Sequence, residues 1–141
     1  MKLQGVHHAA LAVMDMERMT AFYRDSLGMQ VHPTKRNWLG SGHGFSLHLM
    51  PTDRPPAPRD PSRHIAFQVE NLNDCCRHLL AKGLRPYQMS LTMEIFWLTE
   101  SAGPLDQGIG TIFLEDPEGN TLEFVERHRG LFTDYDDGLE D

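Results

Sequence analysis

The strongest constraint in this chain is an internal repeat: His8-Ala9-Ala10-Leu11-Ala12-Val13 returns as His64-Ile65-Ala66-Phe67-Gln68-Val69, and each copy runs into a helical pattern closed by Leu27-Gly28 or Lys82-Gly83. A duplicated strand–helix unit of this size cannot bury its apolar face alone, so the two modules are expected to share a core. Each half also ends in a strand with one possible metal ligand, His48 in the first and Glu123 in the second. Folded about a pseudo-twofold axis, the modules would bring His8, His48, His64 and Glu123 toward one centre.

The period-2 pattern from Gly5 to Val13 sets Leu11 and Val13 on one face and His8, Ala10 and Ala12 on the other. Asp15 is placed to cap a helix from Met16 to Leu27, and Gly28 suits a left-handed stop. Short strands follow at 29–32 and 36–39, then Phe45 to Met50, where Phe45, Leu47 and Leu49 face the helix and His48 points away. Residues 52–62 form a proline-rich connector with Pro55, Pro56, Pro58 and Pro61. The second module repeats the order, with Asn71 as cap, a Leu72/Cys75/Cys76/Leu79 stripe, and a strand at 84–87. Residues 89–107 diverge from the first copy. A hairpin then turns at Asp116-Pro117-Glu118-Gly119-Asn120 and leaves Glu123 on the face opposite Leu122 and Phe124. The expected organisation is one domain over 1–127 (module one 1–51, connector 52–62, module two 63–127) and an acidic tail over 128–141.

Composition excludes several partners. The net charge of −7 owes five units to Asp134, Asp136, Asp137, Glu140 and Asp141 in the tail. The arginines of the body are scattered among acidic residues, so no basic face for nucleic acid is expected. No apolar run reaches the 18 residues a membrane span needs, and the first residues do not read as a signal peptide. Adjacent Cys75 and Cys76 cannot bridge each other without distorting the backbone, which fits a reducing, cytoplasmic setting. The Gly40–Gly44 turn precedes a strand rather than a helix and so lacks a phosphate-binding helix N-terminus. The acidic tail lacks the ligand spacing of a calcium loop.

A lone strand histidine is most often structural. Here all four polar residues fall on the face opposite their strand's apolar residues, at matching places in two copies. A carboxylate between Leu122 and Phe124 needs a partner to leave water. Imidazole and carboxylate ligands suit one divalent ion, Zn, Fe, Ni, Mn or Co, with positions left for substrate oxygens.

The segments Val6–Val13, Ala21–Gly28, His64–Val69 and Asp116–Glu123 together resemble the vicinal oxygen chelate superfamily, which groups glyoxalase I, bleomycin-resistance proteins and extradiol dioxygenases. The resemblance implies an α+β fold of two βαβββ modules forming a curved mixed sheet around a metal pocket, and it places His8, His64 and Glu123 at the family's ligand positions. His48 falls where glyoxalase-like members keep a ligand and base, and where extradiol enzymes keep an acid–base histidine outside the metal's coordination. Phe113 stands where extradiol enzymes commonly carry tyrosine. Pseudo-symmetry pairs it with Trp38 as an apolar wall.

The expected function is divalent-metal-dependent, glyoxalase-type lyase or isomerase chemistry on a small organic substrate, with His48 or Glu123 transferring a proton, in a homodimer. Extradiol ring cleavage with Fe(II) and metal-independent small-molecule binding are the alternatives. The ligand set argues against the last, since binding members of the family generally lack it.

Overall fold

A computed structural model of the chain describes residues 1–55, 60–100 and 110–133. The acidic charges of the tail, the centre of the connector and residues 101–109 of the divergent segment lie outside the described residues. The chain separates into two compact units, each an α+β module built on a mixed sheet.

In the first unit, β1 (His8–Val13) leads to α1 (Met16–Ala21), then to β2 (Gln30–Val31), β3 (Trp38–Gly40) and β4 (Ser46–Pro51). The sheet order is β1-β4-β3-β2, with β1 and β4 parallel and the other pairs antiparallel. Leu47 and Leu49 are fully buried beneath α1, whereas His8, Ala10, Ala12 and Met50 remain exposed on the opposite face. Asp15 caps α1 through Arg18 N–H at 2.9 Å, and Gly28 closes the helical segment at φ +74°.

The helix expected to run unbroken from Met16 to Leu27 instead changes after Ala21 into one π-helical turn, Phe22–Ser26. Its wider winding carries the consecutive residues Phe22 and Tyr23 into the core together. The Tyr23 hydroxyl donates to Asp116 at 2.7 Å, so the Asp116–Gly119 turn clusters with this unit. Glu118 from the same turn accepts from the Met14 and Asp15 amides at 2.7 and 3.0 Å.

The second unit runs β5 (His64–Gln68), α2 (Leu72–Ala81), β6 (Tyr87–Met89), β7 (Ile95–Trp97), β8 (Thr111–Glu115) and β9 (Thr121–Val125). Its order, β5-β9-β8-β6-β7, reproduces that of the first sheet with β7 added at the edge. Asn71 caps α2 through Asp74 N–H, and Leu72 and Leu79 are buried against β8 and β9. Burial pushes the Cys75 thiol up to about 12, so it packs as an apolar group. The strand expected at 84–87 begins at Tyr87, because Pro86 has no N–H to give a ladder. Thr111 to Leu114 and Thr121 to Phe124 are buried on both faces rather than alternating. Among the described residues no helix is long and apolar enough to cross a membrane.

Burial, followed by the charge of Asp116, raises the Tyr23 phenol well above its ordinary value of 10.0. The unfolded chain then loses this proton first, so stability should fall as pH rises past about 10. Tyr23→Phe should weaken that alkaline decline and, by removing one donor from the buried Asp116, cost about 1–3 kcal/mol at pH 7. Urea titrations of both proteins at pH 7 and above pH 10 check this.

Candidate functional site

The four residues singled out by sequence fall two to each unit, and register explains which meet. In the second unit, parallel pairing sets Ala66 beside Glu123, and antiparallel pairing sets Phe113 on its other side. The small side chain of Ala66 leaves room for His64, one pleat away on the same face, to reach Glu123. His64 Nε2 lies 2.9 Å from Glu123 Oε2. The carboxylate is only 7% exposed. Its other oxygen accepts from the buried Thr111 hydroxyl at 2.7 Å.

The far side of the imidazole settles its tautomer. Nδ1 is 2.9 Å from the Pro61 carbonyl oxygen, which can only accept, so Nδ1 carries a proton. A neutral ring therefore presents the Nε2 lone pair to a carboxylate oxygen, and two lone pairs at that distance repel. A second proton on Nε2 relieves the repulsion by forming an ion pair. A cation held by both atoms also relieves it.

The donor set fits such a cation. A carbonyl on the remote ring nitrogen is the usual support for a metal-bound histidine. Two ligands about 2.1 Å from one ion stand about 3.0 Å apart at right angles and about 3.4 Å apart in a tetrahedron, so the pair is spaced within a few tenths of an ångström of what a shared ion needs. On the same strand face, opposite His64 in register, the Thr121 hydroxyl oxygen is buried with no hydrogen-bond partner among the described residues. Phe113 packs edge-on against the imidazole, with ring centroids 5.9 Å apart, and stacks on Tyr87.

In the first unit His8 and His48 share the open face of the sheet, their ring centroids 6.4 Å apart. Trp38, paired with His48 across β3 and β4, stacks on it at 4.1 Å and 11° and meets His8 edge-on at 4.9 Å. His48 Nε2 is 3.0 Å from the Asn37 amide nitrogen. Strict alternation would put His7 on the face opposite His8. His7 precedes the strand, escapes the alternation, and brings its Nδ1 to 2.9 Å from that of His8. His7, Lys35 and Trp38 also line a groove of about 510 Å³. Neither unit by itself gathers three or more His, Cys, Asp or Glu side chains into a cation site among the described residues.

Three contributors escaped the sequence reading: Asn37, Thr111 and the Pro61 carbonyl. The first two are polar side chains whose importance appears once register is known. The third is a backbone atom with no side-chain signature. Thr111 offered a faint signal, a hydroxyl at the head of the apolar run Ile112-Phe113-Leu114.

A duplicated βαβββ frame with imidazole and carboxylate groups on the sheet faces turned away from its helices defines a class. The chain belongs to the Glyoxalase/Bleomycin resistance protein/Dioxygenase superfamily, whose profile matches residues 5–124. It is 29% identical over 134 residues to a lactoylglutathione lyase from Haemophilus influenzae, covering 84% of this chain and 90% of that protein. Among solved structures, oxidase ChaP-H2 matches with a TM-score of 0.66 and 23% identity, over 90% of this chain and 95% of that one. TnmS3, an antibiotic binding protein from Streptomyces sp. CB03234, matches with a TM-score of 0.59 and 18% identity, over 89% and 98%. These structural likenesses show the shared fold.

Thr111→Val keeps the side-chain volume but strips Glu123 Oε1 of its donor. It should cost about 1–3 kcal/mol, because the oxygen stays buried. Chemical denaturation beside Thr111→Ser, which restores the hydroxyl, separates this loss from packing.

Proposed function

We propose that the protein is a divalent-metal-dependent enzyme of glyoxalase type, acting as a lyase or isomerase on a small organic substrate with two neighbouring oxygens. One observation carries this reading: His64 Nδ1 is engaged by the Pro61 carbonyl while its Nε2 lies 2.9 Å from an oxygen of the buried Glu123 carboxylate, a distance that a cation held by both atoms would explain. His64, Glu123 and His8 would hold the ion, within one chain or across a homodimer. Position alone admits His48 as a fourth ligand or as an acid–base group. A bound ion would supply Lewis acidity to the substrate's oxygens. Glu123 would accept and return the proton, its Oε1 kept in place by Thr111. Trp38 would supply an apolar wall for the rest of the substrate.

Ring cleavage with Fe(II) is the second reading, supported because His8, His64 and Glu123, if brought to one ion, would make a two-His-one-carboxylate set. Against it, Phe113 brings no hydroxyl to the ring edge of His64.

Elemental analysis after reconstitution with Zn, Ni, Co, Mn and Fe(II) tests the premise. About one equivalent is expected. Less than about a tenth of an equivalent of every ion would leave a metal-independent binding protein. Turnover assayed as lactoylglutathione chemistry, against oxygen uptake with catechols, separates the two reactions. Glu123→Gln should lower kcat by about 10²–10⁴-fold. His64→Ala should remove the stabilisation that added metal gives the parent protein, about 2.7 kcal/mol at a hundredfold excess over Kd and read as a rise in melting temperature.

A further inference from the structure

Asn37, the residue before β3, is half-buried, and its amide nitrogen reaches two acceptors. One is the Leu49 carbonyl oxygen at 3.2 Å, the other His48 Nε2 at 3.0 Å. A peptide carbonyl can only accept, so the group facing it is the NH₂ and not the amide oxygen. The second hydrogen of that NH₂ is the one directed at the imidazole. His48 Nε2 is therefore an acceptor, and in the neutral ring the proton sits on Nδ1. Stacking on Trp38 holds the ring plane. Nδ1 has no polar partner among the described residues.

A metal ligand and a general base both need a free nitrogen lone pair. Neutral His48 has none, because Asn37 takes the one on Nε2 and Nδ1 carries hydrogen. His64 carries its proton on the same nitrogen, but its Nε2 faces Glu123 instead of a donor. We infer that Asn37 is a positioning residue that makes His48 a neutral N–H donor to a substrate oxygen, and that His48 is neither a metal ligand nor a general base. The substrate oxygen rests on the metalloenzyme reading above, whereas the Asn37–His48 arrangement stands without it. A fixed neutral imidazole beside an oxygen that gains charge stabilises that oxygen without surrendering its proton. Proton transfer then falls to Glu123.

Protein labelled with ¹⁵N in its imidazoles decides the first part. In long-range ¹H–¹⁵N spectra of the metal-free protein, His48, assigned by the signals lost in His48→Ala, should show the Nδ1-protonated neutral pattern. Asn37→Leu, similar in size and lacking a donor, should move His48 toward the Nε2-protonated pattern. Asn37→Asp, which replaces the donor with an acceptor, should move it further. An Nε2-protonated His48 in the unmodified protein would overturn the inference, and that spectrum needs no variant beyond the assignment.

Zinc affinity by competition with a chelator decides the second part. His48→Ala should stay within about threefold of the parent, whereas His64→Ala should lose at least about a hundredfold. Equal losses would make His48 a ligand and sink the proposal. Oxalate, a two-oxygen anion, added to the zinc-loaded protein should shift the His48 Nδ1–H proton downfield, and His48→Ala should weaken oxalate about tenfold. Oxalate binding that leaves this proton unmoved would refute the donor role. Parent protein that binds no zinc would defeat the metalloenzyme reading, while the imidazole spectra would still judge Asn37.

Discussion

The chemistry of both units depends on the two-residue alternation of a strand whose one face is sealed. Leu47 and Leu49 are fully buried under α1, and that burial, worth about 1.5–3 kcal/mol for each side chain, forces His48 between them onto the other face. A slip of one residue would drive the imidazole into the helix and send both leucines to solvent, so register is strongly specified. Parallel pairing then sets the strand of His8 beside that of His48, and the strand of His64 beside that of Glu123. The alanines at 10, 12 and 66 keep the uncovered faces low, so imidazoles standing on them are not walled in.

That logic is written in the sequence wherever it depends on period and composition. The caps at Asp15 and Asn71, the stops at Gly28 and Gly83, and the repeat of His-x-Ala strands could all be read from local chemistry. So could the α+β class and the faces on which the four polar residues lie. The π-helical turn after Ala21 could not, because Met16, Met19, Phe22 and Tyr23 satisfy helical spacing and the change of winding is fixed by packing. Asn37 and Thr111 were hidden for a different reason. Each acts on a residue about a dozen positions away, Thr111 along a cross-strand diagonal and Asn37 from the residue before β3, and such contacts exist only once register is set.

The duplicated frame makes the departures from symmetry informative. Glu123 sits between Ala66 and Phe113 in register as His48 sits between Ala10 and Trp38, so the two modules present different groups at one structural position. Their supports differ as well. Thr111 binds one carboxylate oxygen and leaves the other facing His64, whereas Asn37 takes the imidazole lone pair itself. One module thus ends in an anionic acceptor and the other in a neutral donor. On the proposed reading, a dication held by neutral imidazoles and a single carboxylate keeps a net charge of about +1, which favours an anionic oxygen as the next ligand. A second carboxylate at position 48 would cancel that charge, while a neutral N–H there adds to the attraction. On that reading, the divergence between the copies at the register position shared by His48 and Glu123 would set the polarity of the site.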